Sequence, residues 1–123
     1  MKSYQELIIW QKSRQLTVWV YNITRTFPSN EQFGLISQIN RSAVSIPSNI
    51  AEGWSRNSTK DFINFLYIAR GSLAELETQL LISYDLTYIK AEALAQITPH
   101  ITELSKMVSG TITSLKNKIT PKL

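Results

Sequence analysis

The chain has no cysteine in 123 residues. That removes disulfides, thiolate nucleophiles and sulfur-ligated metals together. It has one histidine, four glycines and four prolines, and these glycines never gather into a phosphate-cradling loop. No run approaches the ~18 apolar residues of a membrane span. Residues 1–6 are polar and residues 7–10 are too short for the apolar part of a secretory signal, so a cytoplasmic protein is expected. Apolar residues make up 43%, enough for one packed core in one domain spanning 1–123.

Net charge is +4, but it is unevenly spread. Residues 1–27 carry four basic and one acidic side chain, and residues 90–123 carry five and two. Residues 58–89 carry two basic and four acidic ones. Such a division suits either a basic face for nucleic acid or charge-matched faces between subunits.

Apolar spacing predicts four helices and no strand. Over residues 4–26, Ile9, Ser13, Leu16, Val20, Ile23 and Phe27 step by three and four, with Ser3 and Glu6 as a capping box. Pro28 stops this helix. Over residues 30–54, Ile36, Ile39, Ala43, Ile46 and Ile50 form the stripe, with Ser29 or Asn30 as the cap and Glu31 near the positive helix end. Pro47 removes the bond to the Ala43 carbonyl and predicts a kink, and Gly53 loosens the helix end. Over residues 59–84, Ser58 caps a stripe of Phe62, Phe65, Ala69, Ser72, Leu76 and Leu80. Gly71 costs about 1 kcal/mol against alanine in a helix interior, which points to a packing need. Over residues 91–116, Leu94, Ile97, Ile101, Leu104, Val108 and Leu115 make the last stripe, with Pro99 expected to kink it. Residues 117–123 are expected to fray. Four such helices joined by short loops predict an all-α, antiparallel up-and-down four-helix bundle.

Chemistry is sparse. His100 lacks a Glu-x-x-His partner because residue 97 is Ile, and Glu103 supplies only one further ligand type, so a di-metal reading fails. Glu52 with Glu75 or Glu77 is the one candidate carboxylate pair, and the Glu52–Arg56 spacing favours a plain ion pair instead. No nucleophile–base pair is present, so no enzyme, metal or cofactor is expected. Helix 1 is the unusual element. Trp10, Arg14, Tyr21 and Arg25 fall within about 60° of each other, away from the core stripe, with Val18 beside them and Trp19 on another flank. A solitary bundle needs one apolar stripe per helix. Trp10, Val18, Trp19 and Tyr21 are therefore candidate subunit contacts, and the aromatic-plus-arginine strip alternatively stacks on bases. Lys106, Lys116 and Lys118 do not share one helix face and read as solvated surface.

The run Glu31-Gln32-Phe33-Gly34-Leu35, then Gln38, Arg41 and Ser45-Ile46-Pro47-Ser48-Asn49-Ile50-Ala51-Glu52-Gly53, continues through Arg56, Ser58, Phe62, Phe65-Leu66, Ile68-Ala69, Gly71-Ser72, Glu75-Leu76 and Thr78. Upstream stand Leu7, Trp10, Tyr21, Thr24 and Phe27-Pro28. Over residues 4–89 this resembles the four-helix-bundle family associated with intervening sequences of bacterial 23S ribosomal RNA genes, often labelled S23 ribosomal protein. Ser13 and Trp54 depart from the expected pattern. The resemblance implies a homo-pentameric ring and kinship with the accessory protein of diversity-generating retroelements, a basic barrel that binds nucleic acid and a reverse transcriptase. It also implies structural roles. Pro47 bends helix 2, Gly53 ends it, and Gly71 with Ser72 admits it closely. Asn49 belongs to the same motif. Arg41, Glu52, Arg56 and Glu75 make polar ties. Arg14, Arg25, Lys106, Lys116 and Lys118 remain the candidate contacts to RNA or DNA, and the alternative is a protein-interaction oligomer that binds no nucleic acid.

Overall fold

The structure is a computed structural model that describes residues 3–119. It consists of α1 (Ile8–Thr24), α2 (Leu35–Trp54), α3 (Thr59–Asp85) and α4 (Ala91–Ile119), with short 3₁₀ turns at Tyr4–Glu6 and Ser29–Glu31. Cross-helix contacts give the direction of each neighbour. Along α2 and α3, Ser42 meets Glu75 and Ser45 meets Ser72, so one helix rises as the other falls. Arg70 with Ser109 and Lys116 with Tyr67 do the same for α3 and α4. Lys12 with Glu103 and Trp19 with His100 close the ring between α4 and α1. The bundle is therefore all-α and antiparallel throughout.

Its core takes one stripe from each helix. Leu16 and Val20 of α1 meet Ile39, Ile46 and Ile50 of α2, Leu66, Leu73, Leu76 and Leu80 of α3, and Leu104 and Val108 of α4, all essentially without solvent contact. Burying each such side chain contributes about 1.5–3 kcal/mol relative to exposure. Ile23, Ile36, Phe65, Leu94 and Leu115, expected in the stripes, are half-buried, while Thr24, Leu73 and Ile112 are buried nearby.

The starts of the first two helices differ from expectation. Ser3 accepts from the Gln5 backbone N–H at 3.1 Å and caps the first 3₁₀ turn rather than α1. Leu7 is then extended, and this break lets Tyr4 fold back edge-on to Trp10, with ring centroids 5.3 Å apart. Neither Ser29 nor Asn30 caps α2. That helix begins after Gly34, and Glu31 supplies the acceptor instead, with Oε1 lying 3.5 Å from the Leu35 N–H. Ser58 does cap α3, accepting from the Asp61 N–H at 3.0 Å. Helix α4 continues through residues 117–119, where fraying was expected; residues 120–123 fall outside the described residues.

Pro47 sits within an unbroken α2. Proline has no N–H to give the Ala43 carbonyl. The hydroxyl of Thr17 on α1 reaches that oxygen at 3.1 Å, its one hydrogen shared with the Ser13 carbonyl at 2.8 Å. A defect in one helix thereby becomes a tie to the next.

Neither glycine takes its expected role. Gly53 does not end α2, which runs on to Trp54 with Ser55 as its cap. It is buried, and a Cβ there would stand 2.6 Å from Phe65 Cβ and 3.0 Å from Phe62 Cδ1. Gly71 is exposed and a Cβ there would meet nothing within 4 Å, so it does not admit α2; Ser72 and Gly53 do. Gly53→Ala is expected to cost about 1–3 kcal/mol through overpacking, whereas Gly71→Ala is expected to gain up to about 1 kcal/mol from helix propensity. Urea unfolding of both variants checks the contrast.

Helix α3 ends in a paired-bond cap. The Tyr88 N–H donates to Ser83 O at 2.8 Å and the Thr87 N–H donates to Tyr84 O at 2.9 Å. This arrangement wants glycine in the left-handed position, yet Thr87 occupies it at φ 64°. A β-branched residue there is strained. Thr87→Gly is expected to raise stability by about 1 kcal/mol, read as a higher urea midpoint at unchanged slope.

Candidate nucleic-acid and subunit interface

Most cations here are not neutralised by carboxylates. Among the described residues there are two ion pairs, Lys12–Glu103 at 2.7 Å and Arg56–Glu52 at 2.8 Å. Four cations, Arg56 among them, lie on aromatic rings. Arg14 stands over Trp10 with its guanidinium carbon 5.5 Å from the ring centre. Arg56 lies 5.1 Å from Phe65, and Tyr67 carries both Arg70 at 4.8 Å and the Lys116 ammonium at 5.0 Å. A ring orients a cation without cancelling its charge, so Arg14, Arg70 and Lys116, which have no carboxylate partner among the described residues, stay available to an anion.

The expected cations are thus placed on two helix sets rather than one surface. Arg14 and Arg25 stand exposed on α1, with Arg25 donating to Asn22 Oδ1 at 2.6 Å. Lys116 is held at the α3–α4 seam, and Lys106 borders a hollow there with Glu77 and Ser109. Lys118 is exposed in the last turn of α4. Arg70 was missed from sequence; its i,i+3 spacing from Tyr67 was the available signal.

The aromatic residues of α1 divide. Trp10 is half-buried between Tyr4 and Arg14. Trp19 packs on His100, with ring centroids 4.4 Å apart, and keeps 36% exposure. Val18 and Tyr21 are 52% and 37% exposed. Tyr21 lines one hollow with Phe33, Ile36, Arg41 and Val44, and Phe33 is 91% exposed. Sequence spacing on α1 alone did not reveal the contribution of Phe33 and Val44. Ile68, Leu81, Ile82 and Tyr84 are further exposed apolar side chains of α3.

The motif residues divide between the α2–α3 seam and the surface: Gly53 and Ser72 are buried, Pro47 and Asn49 half-buried, and Arg41, Glu52, Arg56, Gly71 and Glu75 exposed. Ser42 Oγ donates to Glu75 Oε1 at 2.9 Å, and Asn49 Nδ2 donates to the carbonyl and hydroxyl oxygens of Ser45 at 2.8 and 2.9 Å. Ser45 meets Ser72 at 2.9 Å. Glu52 pairs with Arg56 as its spacing suggested, which separates it from Glu75. Arg41 makes no hydrogen bond or ion pair among the described residues and stands exposed in the Tyr21–Phe33 hollow.

At the bundle end, the Tyr88 hydroxyl donates to Glu31 Oε2 at 2.9 Å, and this bond, with burial and the carboxylate's charge, pushes the phenol above its ordinary value. Among the described residues no three His, Cys, Asp or Glu side chains gather to hold a metal, and no helix is long and apolar enough to cross a membrane.

These features define a four-helix-bundle protein whose chemistry lies on its outer faces. Residues 5–110 match the family model of the 23S rRNA-intervening sequence protein. The chain belongs to that family. It is also similar to a protein of unknown function from the S23 ribosomal protein family of Bacteroides thetaiotaomicron VPI-5482, known from a crystal structure at 1.70 Å. The two share 34% identity over 85% of this chain and 98% of the other, with a TM-score of 0.78. No curated protein matches the sequence.

The Lys12 ammonium, through its hydrogen bond first and its charge second, holds the Glu103 carboxyl below its ordinary value of 4.5. A depressed carboxyl stabilises the fold above its unfolded-state pKa and loses that contribution as pH falls through the folded value. Both partners are about half exposed, so the effect on stability is small. A carbon-detected titration is expected to place the Glu103 midpoint below 4.5, and Lys12→Met to move it back up.

Proposed function

We propose that this protein is a non-catalytic, homo-oligomeric scaffold that holds RNA or DNA on a basic surface. The observation that carries this reading is the set of cations laid on rings: Arg14 on Trp10, Arg70 and Lys116 on Tyr67. They are oriented and unpaired with carboxylates among the described residues, Arg14 and Lys116 exposed and Arg70 half-buried, which suits phosphate contact together with base stacking. Thirteen basic against nine acidic residues support the same reading.

Assembly is proposed because the cations are divided between α1 and the α3–α4 seam. Several copies bring these sets together on a larger surface. The exposed Val18, Tyr21, Phe33 and Val44 suit the contact between copies, and the resemblance described above points to five of them; the cytoplasmic setting is the one expected from the sequence. The second reading, an oligomer that binds only protein, is favoured by the 91% exposure of Phe33, a large ring with no role in its own bundle.

The test is a titration with structured RNA across a salt series, with sedimentation equilibrium on the same samples. The expected result is an oligomer whose log affinity falls linearly with log salt, by about 0.7–0.9 per phosphate contacted. Removing Arg14 and Arg25 together is expected to flatten that slope by about 1.5. An oligomer that binds no RNA or DNA at low salt would establish the second reading, and a monomer would exclude both.

A further inference from the structure

Two hollows flank the Trp19–His100 stack on the seam between α1 and α4. The outer end of the seam carries the larger one, about 440 Å³, within the usual size of small-molecule sites. Its apolar wall is Trp19, Ile23, Ala93 and Ile97. Its polar groups are the Asn22 and Gln96 amides and the His100 imidazole. None of these polar groups ties one helix to another by a hydrogen bond among the described residues, and all three side chains are exposed.

Their chemistry is directional. Asn22 Oδ1 is occupied by the Arg25 guanidinium at 2.6 Å, which leaves its NH₂ as a donor and holds a cation at the rim. Gln96 makes no hydrogen bond among the described residues and offers both a donor and an acceptor. The second hollow holds Glu103, and Lys12 neutralises it at 2.7 Å, so no unpaired anion stands across the stack.

We propose that the larger hollow is a subsite for one nucleobase carrying a 5′-phosphate. Trp19 and His100 provide the stacking wall, the Gln96 and Asn22 amides meet the base edge, and Arg25 takes the phosphate. An apolar side chain from a protein partner would fill the wall but engage neither the Gln96 amide, the Asn22 NH₂ nor the guanidinium charge of Arg25. A base with its phosphate matches all three. The shared chemistry belongs equally to a free nucleotide and to an unpaired nucleotide of a strand. In the second case it deepens the nucleic-acid reading above and rests on it.

The test follows the indole N–H resonances of ¹⁵N-labelled protein during titration with AMP, ribose 5-phosphate and a short unstructured oligoadenylate. Trp19→Phe assigns the reporter peak. A selective, saturable shift of the Trp19 resonance with AMP is the expected result for a free nucleotide; a shift with the oligoadenylate alone identifies a strand. Gln96→Ala, at an exposed position, is expected to weaken either by about 3–10-fold. The proposal is overturned if ribose 5-phosphate shifts the peak as AMP does, if Gln96→Ala changes nothing, or if Trp19 stays unmoved with all three probes. Structured-RNA binding that persists while Trp19 stays unmoved overturns the subsite and leaves the basic-surface reading intact. A Trp19 shift with AMP in a protein that binds no RNA does the reverse.

Discussion

Helices α2 and α3 touch backbone to ring at Gly53, where not even a methyl group fits against Phe62 and Phe65. That close approach governs the rest of the bundle. Small polar side chains continue it, with Ser45 against Ser72 and Ser42 against Glu75, so the seam is held by short hydrogen bonds as well as by apolar packing. Serines reach across only when backbones are near, so the small residues and the bonds depend on each other. Once this pair is set, α2 also dictates where α1 lies. Pro47 strips the Ala43 carbonyl of its helical donor, and Thr17 meets that oxygen from α1. An unsatisfied buried carbonyl costs about 1–3 kcal/mol, so the proline adds a reason for α1 to sit where it does.

Polarity is distributed accordingly. The α2–α3 seam takes up Ser42, Ser45, Ser72, Asn49 and Glu75, while Trp19, Tyr21, Tyr84 and most cations stand exposed. Rings back the cations on α1 and at the α3–α4 seam. Ring contact limits where a long flexible side chain points, which lowers the entropy lost when it later meets an anion. The outer surface is therefore chemically richer than the small number of ion pairs suggests.

Much of the bundle was legible in the chain. The stripes around Leu16, Ile46, Leu76 and Leu104 repeat at helical spacing, and repetition over twenty residues is a strong signal. Ser58 was read correctly as a cap because its acceptor role is local. Ser3 was not, because the contact of Tyr4 with Trp10 accompanies a break at Leu7 that local spacing does not encode. The two glycines were misread for a related reason. Gly53 and Gly71 look alike as interruptions in helical runs, and only the neighbouring helix distinguishes a crowded position from an open one. The candidate surface was legible in part. The strip of Trp10, Arg14, Tyr21 and Arg25 follows from helical angle alone, whereas Arg70 on Tyr67 and the Phe33–Val44 contribution need partners in space.

The amino-acid sequence by itself determined that the protein is all helix, that four apolar stripes demand burial in one core, and that α1 carries apolar surface beyond what one stripe requires. These follow from periodicity, a property of single helices. Only the tertiary structure decided that Gly53 is a point of close approach, that Thr17 meets the carbonyl freed by Pro47, and that Trp19 and His100 stand together between two hollows. Each of those facts joins residues from different helices, and their meeting depends on the distance and rotation at which two helices pack, which no spacing along one chain segment specifies.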